Sequence, residues 1–165
     1  MFLKLTKKNR NLKRDQRLNQ LTKPIVFSSL DNLKDCLSFS LYYFDGSQEA
    51  GQDISQWNKK QQEDLFNKLK ELSKNTKKYW LNTRCGSGGL KRLAIYGNFP
   101  INTDFKCPKN IPDNVSWARF RMDNMMRIVG FFINEEESKA RGLSSDVFYI
   151  VFLDKDHRFY KTEEK

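Results

Sequence analysis

The sequence predicts an α+β domain: an antiparallel β-sheet of about four strands covered by a helical hairpin, preceded by a basic N-terminal arm. Three observations carry that expectation. Residues 147–153 read VFYIVFL, an unbroken apolar run, almost all β-branched or aromatic. It is too short to cross a bilayer and has the length of a strand buried on both faces in mid-sheet. Residues 37–41 and 117–122 alternate apolar with polar side chains, the period of strands with one covered face. Trp57, Gln61, Leu65, Leu69 and Leu72, with Phe66 beside them, recur at helical spacing.

The chain of 165 residues is long enough for one domain with a real core, and 38% hydrophobic content excludes global disorder. Its formal charge of +10 is uneven. Residues 1–24 hold Lys4, Lys7, Lys8, Arg10, Lys13, Arg14, Arg17 and Lys23 against Asp15 alone, a net of +7, which leaves +3 for the domain at 25–165. Such arms meet nucleic acid or anionic membrane, or remain solvated tails. Cys36, Cys85 and Cys107 contain no C-x-x-C pair, so neither a disulfide framework nor a zinc site is expected, and a reducing cytoplasm fits best. The first residues carry too short an apolar run for a signal peptide, and no membrane span is expected.

Taken in order, Leu5, Leu12, Leu18 and Leu21 put a thin apolar stripe on the cationic arm, which Pro24 ends. A short apolar piece at 25–27 precedes the strand at 37–41, and Asp45-Gly46 signals a turn. Asp53 and Gln56 form a capping-box pattern for the main helix, whose other face, with Lys59, Lys60, Glu63, Lys68, Lys70 and Glu71, is expected to be solvated. Tyr79, Trp80 and Leu81 are expected on a second helical turn facing the same core. Residues 85–89, CGSGG, lack the Gly-Lys-Ser/Thr ending of a phosphate loop and read as a flexible connector, with a short strand over 90–97. Pro100, Pro108 and Pro112, interspersed with Phe99, Ile101, Phe105 and Ile111, predict an ordered strap. Residues 117–122 and 126–133 form a hairpin around Asp123-Asn124. A three-residue turn sets Arg121 opposite Arg127, whereas a two-residue turn sends Arg127 to the other face, and both registers are open. Residues 134–146 are expected to be a loop.

Three pieces of the last third resemble the RelE/ParE toxin superfamily, nearest its YoeB-like mRNA-cleaving branch. Residues 117–121, WARFR, are similar to that branch's tryptophan- and arginine-bearing strand. Residues 127–131, RIVGF, are similar to the opening of its next strand, whose arginine acts on the scissile phosphate. Residues 157–160, HRFY, resemble its C-terminal histidine and tyrosine, although here Tyr160 lies three residues after His157. The resemblance implies a RelE-like fold and a toxin-type endoribonuclease, or a ribosome- or mRNA-binding protein, of a toxin–antitoxin system, with RNA, the ribosome and an acidic antitoxin as partners. No convincing counterpart of that branch's glutamate base is found. Asp104, Asp113 and Asp123 are the nearest carboxylates by position.

RNA cleavage without a metal or cofactor needs a base for the 2′-hydroxyl, cations for the phosphorane and an acid for the leaving 5′-oxygen. The expected catalytic residues are His157 as acid, Arg127 and Tyr160. Arg119, Arg121, Lys155, Arg158 and Lys161 are expected to bind RNA, with Lys7, Lys8, Arg10, Lys13, Arg14 and Arg17 of the arm. Metal ligation by Asp154, Asp156 and His157 is not expected, because residues this close on one strand end seldom converge on an ion. Two rival readings remain: a non-catalytic nucleic-acid-binding accessory protein of phage or mobile-element origin, favoured by the missing base, and an interaction module whose arm docks on an acidic protein.

Overall fold

The computed structural model describes residues 35–86, 88–122 and 126–161. The arm with the six cations expected to bind RNA, the apolar piece at 25–27 and the Asp123-Asn124 turn lie outside the described residues. Within them the fold is α+β, with a mostly antiparallel sheet and a few helices. The main sheet has five strands rather than about four: β1 (Ser38–Ser40), β4 (Leu93–Gly97), β5 (Val115–Arg121), β6 (Arg127–Ile133) and β7 (Val147–Asp154), in the order β1-β7-β6-β5-β4. β1 pairs parallel to β7, and every other pair is antiparallel. The apolar run thus forms β7, interior to the sheet between β1 and β6.

Both faces of that sheet are covered. On one, α1 (Lys59–Leu72) and α2 (Lys77–Asn82) bring Leu65, Leu72 and Trp80 onto Phe120, Ile128, Phe132, Phe148 and Ile150. Asp53 and Gln56 do close a capping box, but around a single 3₁₀ turn at Ile54–Gln56. Extended backbone at Trp57 then lets Asn58 and Gln61 close a second box that starts α1. Lys68, expected in solvent, is buried against the sheet side with its ammonium on Glu71, while Phe66 faces out. Trp80 donates from Nε1 to the Leu72 carbonyl at 2.7 Å, which locks the second helix against the end of the first.

The opposite face is covered by straps. Phe105 from the proline-rich segment, Phe159 from the chain's end and Ala50 pack on Trp117, Val129, Phe131, Val151 and Phe152. A fully buried Phe contributes roughly 1.5–3 kcal/mol, so this aromatic layer is a second core in its own right. Two loops expected from sequence are regular. Where the connector was expected, β2 (Arg84–Cys85) and β3 (Leu90–Lys91) pair antiparallel, with Gly86 and Gly89 at positive φ. Residues 134–146 contain α3 (Glu135–Arg141), with three glutamates in its first turn, Lys139 and Arg141 in its last and left-handed Gly142 after it. No helix among the described residues is long and apolar enough to cross a membrane.

Gly130 marks the tightest point of the sheet. A Cβ there would lie 2.0 Å from the Tyr149 carbonyl oxygen, a backbone atom of the neighbouring strand. Gly130→Ala is therefore expected to destabilise the domain by about 3 kcal/mol or more in urea titration, through displacement of β7. A loss under 1 kcal/mol would show that the sheet yields there without strain.

Candidate functional site

β5 and β6 adopt the register of a three-residue turn: Arg121 lies opposite Arg127 and Arg119 opposite Val129. Trp117, on the same face of β5 as Arg119 and Arg121, packs in the strap-side layer, so all three guanidiniums emerge on that face. A β-bulge in β7 and the pairing of β4 bring them company. In β7 the register shifts between Val129 and Gly130 of its partner, so Val151 is an extra residue and Val151 and Phe152 both join the strap-side layer. Strict alternation would have placed Asp154 with Phe148 and Ile150 on the helix side; the bulge turns it to the arginines, opposite Arg127. In β4 Tyr96 lies two residues after Ala94, the partner of Arg119, so ordinary alternation sets it on the same face with its hydroxyl at Arg119, and the register shift follows between Ile95 and Gly97.

After β7 the chain turns sharply. Asp154, almost wholly buried, accepts from the Arg158 N–H at 2.9 Å and the Phe159 N–H at 3.1 Å. This closes a turn in which His157 takes a left-handed φ of 61°. The result is a cleft of about 310 Å³ lined by Tyr96, Arg119, Arg121, Arg127, Asp154, His157 and Tyr160. Arg127 donates to the Met126 carbonyl at 2.8 Å and stands 3.5 Å from His157 Nδ1. A guanidinium only donates, so as a hydrogen bond this contact has Nδ1 accepting and the ring proton on Nε2. Arg119 donates from Nε to the Tyr96 hydroxyl, and the Tyr96 ring stacks on Tyr160 at 4.8 Å and 16°.

Positive charge is crowded here. Burial pushes Arg127 down to about 10, with Arg121 and Arg119 adding to the effect. Arg121 is lowered by burial and then by Arg119. Burial raises the Tyr96 phenol, keeping it a proton donor although Arg119 acts the other way. Arg119 Nη1 and Arg121 Nε are buried with no hydrogen-bond partner. The arrangement can grip an anion and has an imidazole and two phenols beside it. A base whose folded pKa is depressed costs stability below that pKa, and the cost fades as pH rises through it. Arg121→Gln should accordingly raise the melting temperature of the domain at pH 7. A lowered melting temperature would show that Arg121 is held by contacts that outweigh the repulsion.

The remaining expected site residues go elsewhere. Arg158 and Lys161 both bind Asp104, at 3.0 and 2.5 Å, tying the chain's end to the proline-rich strap. Those hydrogen bonds, from Lys161 and then Arg158, hold the Asp104 carboxyl below its ordinary range. Lys155 and Asp156 open on a different cleft, with Lys60, Asp64 and Met126. Asp113 lines a third, beside Tyr43 and Tyr149, and Asp123 lies outside the described residues. Among the described residues no group of three His, Cys, Asp or Glu is placed to hold a metal ion. The sequence did not point to Tyr96, and it offered Asp154 only as a neighbour of His157 and as a metal ligand that was not expected. No protein-family model matches the chain, and neither the curated proteins nor the solved structures contain a match.

Proposed function

We propose that the arginine cleft binds an RNA phosphate and that the chain is a toxin-type endoribonuclease of RelE-like architecture that works by metal-independent acid/base chemistry. One observation carries the reading. Arg119, Arg121, Arg127, His157 and Tyr160, picked out by sequence from three separate segments, line one cleft. The two helices stacked on one sheet face, with the C-terminal strand returning beside the first, support the RelE-like arrangement.

In this reading the RNA 2′-hydroxyl gives its proton to water and its oxygen bonds phosphorus while the bond to the 5′-oxygen breaks, giving a 2′,3′-cyclic phosphate and, once that oxygen is protonated, a 5′-hydroxyl. Arg127, with Arg119 and Arg121, stabilises the extra charge of the phosphorane. His157 returns a proton to the leaving 5′-oxygen, which requires Arg127 to turn from Nδ1 onto the phosphate so that the ring can hold two protons. Tyr160 supports the strand by stacking. The partners that go with this reading are RNA, the ribosome and an acidic antitoxin.

A second reading has a specific observation behind it. Asp154 is the one carboxylate lining the cleft among the described residues, and both of its oxygens are engaged by backbone N–H groups, which makes it a poor base for the 2′-hydroxyl. A non-catalytic nucleic-acid-binding accessory protein needs no base. Incubation of the protein with free and ribosome-bound RNA separates the two. Cleavage leaving cyclic phosphate ends supports the enzyme, whereas arginine-dependent binding without cleavage supports the binding module.

The arm adds a separate expectation in either case. Seven net cations neutralising about seven phosphates on single-stranded RNA give a slope of log K against log salt near −5. Deleting residues 2–22 should flatten that slope, and an unchanged slope would remove the arm from the interface.

A further inference from the structure

A phosphodiester within an RNA strand carries one negative charge, whereas a phosphate at a strand end carries close to two at neutral pH. The described residues lining the cleft set three guanidiniums against the single carboxylate of Asp154. Two guanidinium nitrogens, Arg119 Nη1 and Arg121 Nε, are buried there without a hydrogen-bond partner. One negative charge on the ligand leaves the cleft cationic, and two bring it to balance. Nearby, the Tyr160 ring is backed by Tyr96 and remains 46% exposed, a surface on which a base can stack.

We propose that the cleft is a binding site for a terminal phosphomonoester dianion, the 3′-phosphate end of an RNA strand, with the adjoining base on Tyr160. The proposal rests on the reading of the cleft as an RNA-phosphate site and deepens it. The charge balance that suits a dianionic phosphorane equally suits a dianionic product, so the hydrolysed 3′-phosphate strand inhibits the protein while its cyclic precursor, a monoanion, departs. Charge-assisted, bidentate contacts to a second phosphate charge favour the dianion by about tenfold or more over an internal diester.

Fluorescence anisotropy on the full chain tests this with 2′-O-methyl pentanucleotides, which lack the attacking hydroxyl. They end in a 3′-phosphate, a 5′-phosphate or a 3′-hydroxyl, and inorganic phosphate serves as competitor. The 3′-phosphate strand is expected to bind at least ~10-fold tighter than the 3′-hydroxyl strand, and Arg121→Gln, with its melting temperature checked, should shrink that ratio to about two. Equal wild-type affinities for the two ends overturn the proposal, and if that binding still depends on Arg119 and Arg121 the RNA reading stands. A 5′-phosphate bound as tightly as the 3′-phosphate overturns the choice of strand end. Displacement by inorganic phosphate at a concentration matching the strand's own affinity overturns RNA as the source of the anion. No binding of any strand sinks the proposal and the RNA reading together.

Discussion

Arg127→Ala and His157→Gln are each expected to lower single-turnover RNA cleavage by ~100-fold or more while leaving RNA affinity within a few-fold. The reason lies in when each side chain does its work. Arg127 is 2% exposed, lines the cleft with Arg119 and Arg121, and in the proposed reading would share the ground-state diester with them. Its contacts strengthen most when the phosphorane gains its second charge, and only interactions that are stronger in the transition state accelerate the chemical step. His157 contributes nothing to ground-state binding through its acid proton, and all of that proton's effect appears as the 5′-oxygen leaves. Arg119→Ala and Arg121→Ala should behave differently, weakening binding with a shallower salt dependence and changing the chemical step less. The acid must be protonated to act, so the rate should fall as pH rises through the His157 titration, and His157→Gln should flatten that limb. The measurement is a single-turnover time course at saturating protein beside a binding curve with uncleavable RNA. Loss of affinity as large as the loss of rate would make Arg127 a ground-state clamp, and an unchanged rate in His157→Gln would remove the imidazole from the chemistry.

How far such a site can be read from sequence depends on what positions each residue. Arg119 and Arg121 could be placed on one face of a strand because alternation within β5 is local, and β7 because seven apolar residues leave few other options. Arg127 was undecided between two registers, since the choice turns on one residue of loop length, which composition does not reveal. Asp154 was out of reach for a sharper reason. It owes its orientation to a β-bulge, which reverses the face of every residue beyond it without a required signature in the bulged residues themselves. Tyr96 meets Arg119 and Tyr160 only because β4 closes on β5 and the chain's end folds back over both. By contrast, α3 was legible: Asn134, three glutamates, two late cations and Gly142 are the ordinary marks of a short helix, outweighed here by the polar look of the segment. Arg158 and Lys161 illustrate the reverse limit, because charge near a candidate site does not say whether a carboxylate from a distant strap, Asp104, already holds it.

The largest stability effect is expected at Asp154. Asp154→Ala removes the acceptor for two backbone N–H groups and takes away the carboxylate that faces Arg127 across the strands. Breaking a buried ionic arrangement by deleting one partner typically costs 3–5 kcal/mol, and each stranded donor adds its own desolvation penalty. Asp154→Asn retains the shape and one acceptor oxygen but points an NH₂ at a backbone N–H, so about 1–3 kcal/mol is expected there. Function should suffer beyond what stability explains, because the same two hydrogen bonds hold the turn in which His157 adopts its left-handed φ of 61°. For a residue with a Cβ, that conformation costs about 1–2 kcal/mol and persists only where its surroundings impose it. Under conditions where Asp154→Asn remains folded, cleavage should therefore fall towards the level of His157→Gln, and combining the two substitutions should add little further loss. A control separates ring from backbone: His157→Gly relieves the strained φ and should be about 1 kcal/mol more stable than His157→Ala, with both equally slow. Asp154→Asn that is folded, cleaves normally and adds its full effect to His157→Gln would mean that the turn sets the histidine without help from the carboxylate.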